Sequence, residues 1–338
     1  MTRASSDPRR FNLRRPTHAG RVVVGYDGSD HSLAALKWAA AEAERRGRAL
    51  TVLHVLDYVG FIPSPMGPFG RPDVDDANVT RVARSGAERA RAIADLIDVS
   101  AVTLVARVPA TLIEFSTEAE LLVVGTRGHG DLAGAVLGSV AFAVSAHARC
   151  PVVVVRGESV LPSPGRAVVV GVDGSASSHE AVRYGADLAA AARAELVIVS
   201  AYRTLASEAW AEAYIHPEDD GRPDFDTIAR EAARTNASAA AQIARQAYPG
   251  LSITEQVVEG IPAHALAQAA TSAGLLVVGS RGHGGFAGLM LGSVSHALIH
   301  SAPCPVTIIH SPKGTEQVQE ETQALRSTPV DIIRTPIA

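Results

Sequence analysis

The stretch GTRGHGDLAGAVLGSV, residues 125–140, returns 154 positions later as GSRGHGGFAGLMLGSV, residues 279–294, with eleven of sixteen positions unchanged. Two further landmarks repeat in the same order. RVVVGYDGSDHSLAALKWAA from Arg21 is matched by AVVVGVDGSASSHEAVRYGA from Ala167, and CPVVVVR from Cys150 by CPVTIIH from Cys304. The offsets run from 146 to 154, so the chain is a tandem duplication whose units differ slightly in length in their middles. Its 338 residues suffice for two domains of roughly 150 residues each. The boundary falls in GESVLPSPGR, residues 157–166, rich in Gly, Ser and Pro as a linker should be. The expected organisation is an arm at 1–20, domains at 21–156 and 167–310 around that linker, and a tail at 311–338.

Within each unit, short Val/Ile/Leu runs alternate with longer Ala-rich stretches. Strands are predicted near 21–26, 50–56, 101–107, 121–125 and 151–155, and again near 167–172, 195–201, 252–258, 275–279 and 305–309. The runs are nearly continuous rather than alternating, the pattern of parallel strands buried on both faces. The stretch HSLAALKWAAAEAERRG puts Leu33, Leu36, Ala40 and Ala43 on one helical stripe. Strands alternating with helices predict an α/β fold, each unit a five-stranded parallel sheet wound by right-handed crossovers. Two unlike insertions, 57–80 and 203–227, follow the second strand at its carboxyl end and are candidate lids.

Composition excludes several classes. Apolar residues make up 47 % and charged residues 20 %, an ordinary globular balance. A net charge of −4 gives no overall pull toward nucleic acid or an anionic membrane. No apolar run approaches the ~20 residues of a membrane span. The arginine-rich start lacks the apolar segment of a signal peptide and is expected as a disordered arm, so a cytoplasmic protein is expected. Cys150 and Cys304 are too few for a disulfide framework and are expected as buried thiols.

The chemistry concentrates in the repeated loop. Gly125, Gly128 and Gly138-Ser139 recur as Gly279, Gly282 and Gly292-Ser293 at the same spacing. Glycines let a ligand approach the backbone amides. The following segments, GSVAFAVSAHA and GSVSHALIHSA, read as helices with the serine at or near the N-cap. Open N–H groups at a helix N-terminus make an anion site, so the loop reads as a phosphate cradle, with cationic help from Arg127 and Arg281. It is neither a Walker loop, which needs a lysine, nor GxGxxG after the first strand. An acid ends the first strand of each unit: Asp27 in VGYDGS and Asp173 in VGVDGS. A carboxylate there can accept a ribose hydroxyl or help hold Mg²⁺, or can serve as the turn acid of the first helix.

Together these residues resemble the universal stress protein family. The VVVGYDGS and VVVGVDGS strands, the two GxxG-x9-GS loops and the closing CPVVVV and CPVTII strands carry the resemblance, over about 21–156 and 167–310. It implies a Rossmann-like sheet, of the kind shared with adenine nucleotide alpha hydrolases, in the order 3-2-1-4-5. Members usually pair through the last strand, which implies an intrachain pseudo-dimer here, with room for a further homodimer. The glycine loop marks members that bind ATP, so ATP is the expected ligand, with other adenine nucleotides as alternatives. Carried over, Asp27 and Asp173 touch ribose or metal. Gly125, Gly128, Gly138, Ser139 and Val140 hold phosphate in unit one, as Gly279, Gly282, Gly292, Ser293 and Val294 do in unit two. Backbone at Val55 and its counterpart Ala201 reads adenine. One departure is that Arg107 stands where unit two has Gly260 in VEGIPAHAL.

His129 and His283 beside the loops raise a hydrolase reading, but solvent-facing histidines fit as well. Ser139 and Ser293 lack a GxSxG elbow, and the histidines lack metal-ligand spacing. The leading expectation is a nucleotide-dependent regulator in stress or dormancy. A slow ATPase or nucleotidyl-transfer enzyme and a ligand-free interaction protein stand as alternatives.

Overall fold

The computed structural model describes residues 19–57, 77–128, 137–204, 225–283, 291–310 and 331–333. The arm before residue 19, most of both insertions, both loop centres with His129, and all of the tail but residues 331–333 lie outside them. In the first half, β1 (Val22–Gly25), α1 (Asp30–Arg46), β2 (Leu50–Leu56), α2 (Ala77–Arg91) and β3 (Val99–Val105) lead to α3 (Val108–Phe115), β4 (Leu121–Gly125), α4 (Ser139–His147) and β5 (Val152–Val155). The second half repeats this as β6 (Val168–Gly171), α5 (Ala176–Ala192), β7 (Leu196–Tyr202), α6 (Phe225–Ala247), β8 (Ile253–Glu259), α7 (Pro262–Ala269), β9 (Leu275–Gly279), α8 (Ser293–Ser301) and β10 (Val306–Ile309).

The strands form one sheet in the order β11-β3-β2-β1-β4-β5-β10-β9-β6-β7-β8, β11 being Asp331–Ile333. Within each half the neighbours are parallel and follow 3-2-1-4-5. Winding reverses between β1 and β4, and between β6 and β9, which opens a crevice at the carboxyl ends of those strands. The halves meet where β5 runs antiparallel to β10, with Val152 opposite Ile308 and Val154 opposite Val306. The tail differs from expectation by adding a strand, β11, antiparallel to β3.

The valine runs explain the layering. Successive strand side chains point to opposite faces, so each run feeds two cores. Val22, Val24, Leu121 and Val123 pack under α1, α2, α5 and α6, while Val23, Leu122, Val124 and Val154 pack against α3, α4, α7 and α8. Each fully buried Val or Leu contributes about 1.5–3 kcal/mol. Both cores pass through the β5–β10 junction without a break. Helix α1 begins at Ser29, whose side chain accepts from Ser32 N–H, and ends at Gly47 with φ 61°. Cys150 and Cys304 are free and buried, and burial pushes both thiols up to about 12, which fits packing rather than redox chemistry. Among the described residues no helix is long and apolar enough to cross a membrane.

Side chains lock the junction on both faces. Fully buried Glu42 accepts from Arg45 and Arg46, and Arg46 reaches Glu120 and, across the junction, the Tyr184 hydroxyl at 2.8 Å. On the opposite face Arg156 donates to the Ile299 and His300 carbonyls of α8 at 3.1 and 2.6 Å. His310 Nε2 lies 3.0 Å from the Ser145 carbonyl of α4, which can only accept, so Nε2 carries the proton. Burial pushes His310 down from 6.5 to about 4, against the opposing pull of that hydrogen bond. The unfolded chain therefore binds a proton that the folded chain refuses between these two values. Stability should fall by up to ~3 kcal/mol as pH drops through that window. Melting His310→Gln beside the unaltered chain across the window should show a flatter pH slope for the variant.

Candidate functional site

The acid of each half is held by a turn that its own sequence builds. After β1, Gly28 adopts φ 86° and turns the chain into α1. Asp27 Oδ1 accepts from Ser29 N–H at 3.0 Å and Ser29 Oγ at 2.6 Å. In the second half Asp173 Oδ1 accepts from Ser175 N–H at 3.0 Å, with Gly174 at φ 85°. Asp27 and Asp173 are thus turn acids, and their second oxygens face the glycine loops.

Each loop is pinned at both ends. Thr126 N–H donates to the Val155 carbonyl at 3.2 Å, and Gly138 N–H returns to the Thr126 carbonyl at 2.7 Å. Ser280 and Ile309, and Gly292 and Ser280, repeat these bonds at 2.7 Å each. The last strand of each half thereby fixes where its loop begins.

The loop glycines are needed for close approach rather than for unusual dihedrals. A Cβ on Gly125 would stand 2.6 Å from the His31 carbonyl, and one on Gly279 would stand 2.6 Å from Ser177 Oγ. A Cβ on Gly128 would stand 2.5 Å from Asp27 Oδ2, and one on Gly282 would overlap Asp173 Oδ2. The loop therefore lies directly on the acid in both halves. In the second half the contact is a bond, His283 N–H to Asp173 Oδ2 at 2.9 Å. Burial raises the Asp173 carboxyl, but hydrogen bonds from Ser175, His283 and Ser178 outweigh it and hold the group below its ordinary value. Gly125→Ala should destabilise the chain by about 1–3 kcal/mol, because the obstacle is backbone. Gly250→Ala, where a Cβ meets nothing within 4 Å, should be neutral in the same urea titration.

At the loop exits Gly138 and Gly292 are the N-caps, with extended backbone and no side-chain cap bond. Ser139 and Ser293 are the first helical residues, exposed, and so are not the caps. Glycine offers no acceptor, so the first-turn N–H groups are left for an outside anion. Val140 and Val294 pack partly into the core that lies against α3, α4, α7 and α8. Arg127 and Arg281 follow at the loop entrances, half-buried, and Arg127 Nε has no hydrogen-bond partner among the described residues. Val55 and Ala201 occupy equivalent register positions, opposite Leu104 and Val258, on strands beside β1 and β6. No described contact joins them to the loops. No metal-competent group of three or more His, Cys, Asp or Glu occurs among the described residues.

The ladder revises one sequence correspondence. Gly260 N–H donates to the Tyr202 carbonyl, and the matching bond in the first half comes from Ala106 N–H to Leu56. Ala106, not Arg107, is therefore the counterpart of Gly260. Arg107 is the N-cap of α3, as Ile261 is of α7. Two second-half site residues escaped the sequence reading. Ser177 Oγ donates to the Arg281 carbonyl, and Asn236 Nδ2 donates to the Asp173 carbonyl at 3.0 Å. A polar Asn inside an Ala-rich helix was the available signal for the second.

The model of the Universal stress protein family matches residues 18–156 and 165–310. The universal stress protein Rv2005c of Mycobacterium tuberculosis H37Rv is 36 % identical over 310 residues, covering 88 % of this chain and 99 % of its own. Rv2623 of the same strain is 33 % identical over 301 residues, covering 85 % and 95 %. Among solved structures, a universal stress protein of Archaeoglobus fulgidus DSM 4304 shares the fold with a TM-score of 0.59 at 20 % identity, covering 88 % of this chain and 99 % of that one.

Proposed function

Since the chain belongs to the universal stress protein family, we propose that it is a nucleotide-dependent regulator in a cytoplasmic stress or dormancy response, binding one ATP in each half. The observation that carries this reading is the approach of each glycine loop to its acid, close enough that a Cβ at Gly128 or Gly282 would meet the carboxylate. Phosphate recognition and a ribose or metal ligand then share one crevice at a switch point of the sheet.

In this reading Asp27 and Asp173 take the ribose. The loop glycines with Ser139, Val140, Ser293 and Val294 cradle the phosphates, Arg127 and Arg281 add charge, and backbone at Val55 and Ala201 reads adenine. A Mg²⁺ ion fits this donor set, because it keeps several waters and asks the protein for one or two carboxylates besides the phosphates. The domains run from 21 to 156 and from 167 to 310, joined by 157–166 and packed as an intrachain pseudo-dimer.

Calorimetry of the full chain with ATP tests the reading: two ATP per chain are expected, and no binding by either half refutes it. Identifying the nucleotide released from purified protein decides between ATP and other adenine nucleotides. Repeated ATP turnover that disappears in the Asp27→Ala, Asp173→Ala double variant would move the protein to the enzyme class.

A further inference from the structure

The junction crosses the two sites. Residues 156 and 310 close the equivalent strands, and each reaches the other half. Arg156 binds the carbonyls of Ile299 and His300, in the last turn of α8, and α8 opens at Gly292, the exit of the second loop. His310 binds the carbonyl of Ser145, in the last turn of α4, and α4 opens at Gly138, the exit of the first loop. Ser145 and Ile299 are counterparts under the 154-residue offset of the loops, so the two contacts are one contact repeated with different chemistry.

Each bridging residue also sits beside the loop of its own half. The bonds from Thr126 N–H to the Val155 carbonyl and from Ser280 N–H to the Ile309 carbonyl set Arg127 beside Arg156 and Arg281 beside His310. We propose that the two nucleotide sites are coupled, phosphate at the first loop tightening the hold of Arg156 on α8 and so preparing the second loop. The proposal rests on the reading of the loops as nucleotide sites.

The physical reason is an uncompensated charge. No carboxylate pairs with Arg156 among the described ion pairs. Burial, then repulsion from Arg127, opposes its charge. A phosphate at the first loop supplies the missing anion and removes that opposition. Arg156 then stabilises the negative end of α8 more fully and holds its last turn against fraying. An α8 held as a rigid unit presents its first-turn N–H groups at lower entropic cost to a second phosphate. Reciprocity makes the second site favour the first by the same factor. The reverse bridge, through His310, carries a neutral ring and contributes less.

Amide exchange in the full-length Asp173→Ala chain tests this, because the variant empties the second site without touching α8. Gly282→Glu replaces it if Asp173→Ala fails to fold. ATP should slow exchange at 298–301 roughly fivefold or more. Arg156→Gln on that background should abolish the response to ATP, whatever it does to the baseline, and Arg156→Lys should retain part of it. In the otherwise unaltered chain, Arg156→Gln should keep two ATP per chain while weakening the second roughly fivefold. One ATP bound with no response in α8, or a response that survives Arg156→Gln, overturns the coupling alone. Absence of ATP binding by the unaltered chain overturns both the coupling and the reading beneath it.

Discussion

Gly138→Glu should reduce the ATP bound per chain from two to one, and Gly292→Glu should do the same at the other loop. Both glycines are N-caps in extended backbone, at φ −79° and −71°, conformations that glutamate adopts without strain. A Cβ at Gly292 would meet nothing closer than 3.4 Å, so that variant should fold. The new carboxylate lies at the uncapped first turn, where it can take the N–H groups itself and repel an incoming phosphate. Like charges in such contact cost several kcal/mol, which is ~100-fold or more in affinity. Gly292→Ala, adding only a methyl in ordinary contact, should keep its site. The double Glu variant should bind no ATP. Unchanged stoichiometry in either single variant would contradict the loop assignment.

The largest loss of stability is expected from Glu42→Ala. Glu42 is fully buried in α1 and bonds Arg45 and Arg46 at 2.5–2.8 Å. Its removal leaves Arg46 buried with Glu120 and Tyr184 as its remaining partners among the described residues, and stripping one partner from a buried pair costs about 3–5 kcal/mol. The other half shows the apolar alternative. By the 146-residue offset of the first strands, Leu188 stands at the position of Glu42 and Ala192 at that of Arg46. The double variant Glu42→Leu, Arg46→Ala should therefore be markedly more stable than Glu42→Ala in urea unfolding. A double variant as unstable as the single would show that the ionic network itself, rather than an unpaired charge, holds α1 to α5.

Most of the sheet was legible in the sequence, because the apolar runs of the central strands fill two cores and read as buried parallel strands. β11, in the expected tail, and the bounds of β3 are the exceptions. β3 begins at Val99, two residues before the expected 101, because the polar Ser100 belongs to the ladder opposite Thr51. It ends at Val105, since Arg107 already caps α3. The pairing of acid and loop was legible in outline, through two spacings repeated twice. The serines stand next to the N-caps, as expected, and the structure fixes the caps themselves as Gly138 and Gly292, a choice the sequence leaves open because Gly and Ser both suit an N-cap. The bridges at the junction left no local trace. Arg46 and Tyr184 are 138 residues apart, and Arg156 and Ile299 are 143 apart, so neither periodicity nor motif spacing could join them.

The antiparallel meeting of β5 and β10 within one chain has a consequence for how the protein can change. A dimer of identical chains has a two-fold axis, and every substitution at its interface appears twice. It also separates on dilution, whereas halves joined by ten residues keep their contact at any concentration. Here the two partners are encoded separately. One copy can hold a permanent cation at Arg156 while the other holds a neutral imidazole at His310, and one can bury an ionic network where its twin has Leu188. Fusion has released the interface from symmetry, and two loops that keep eleven of sixteen residues in common are free to take unlike roles.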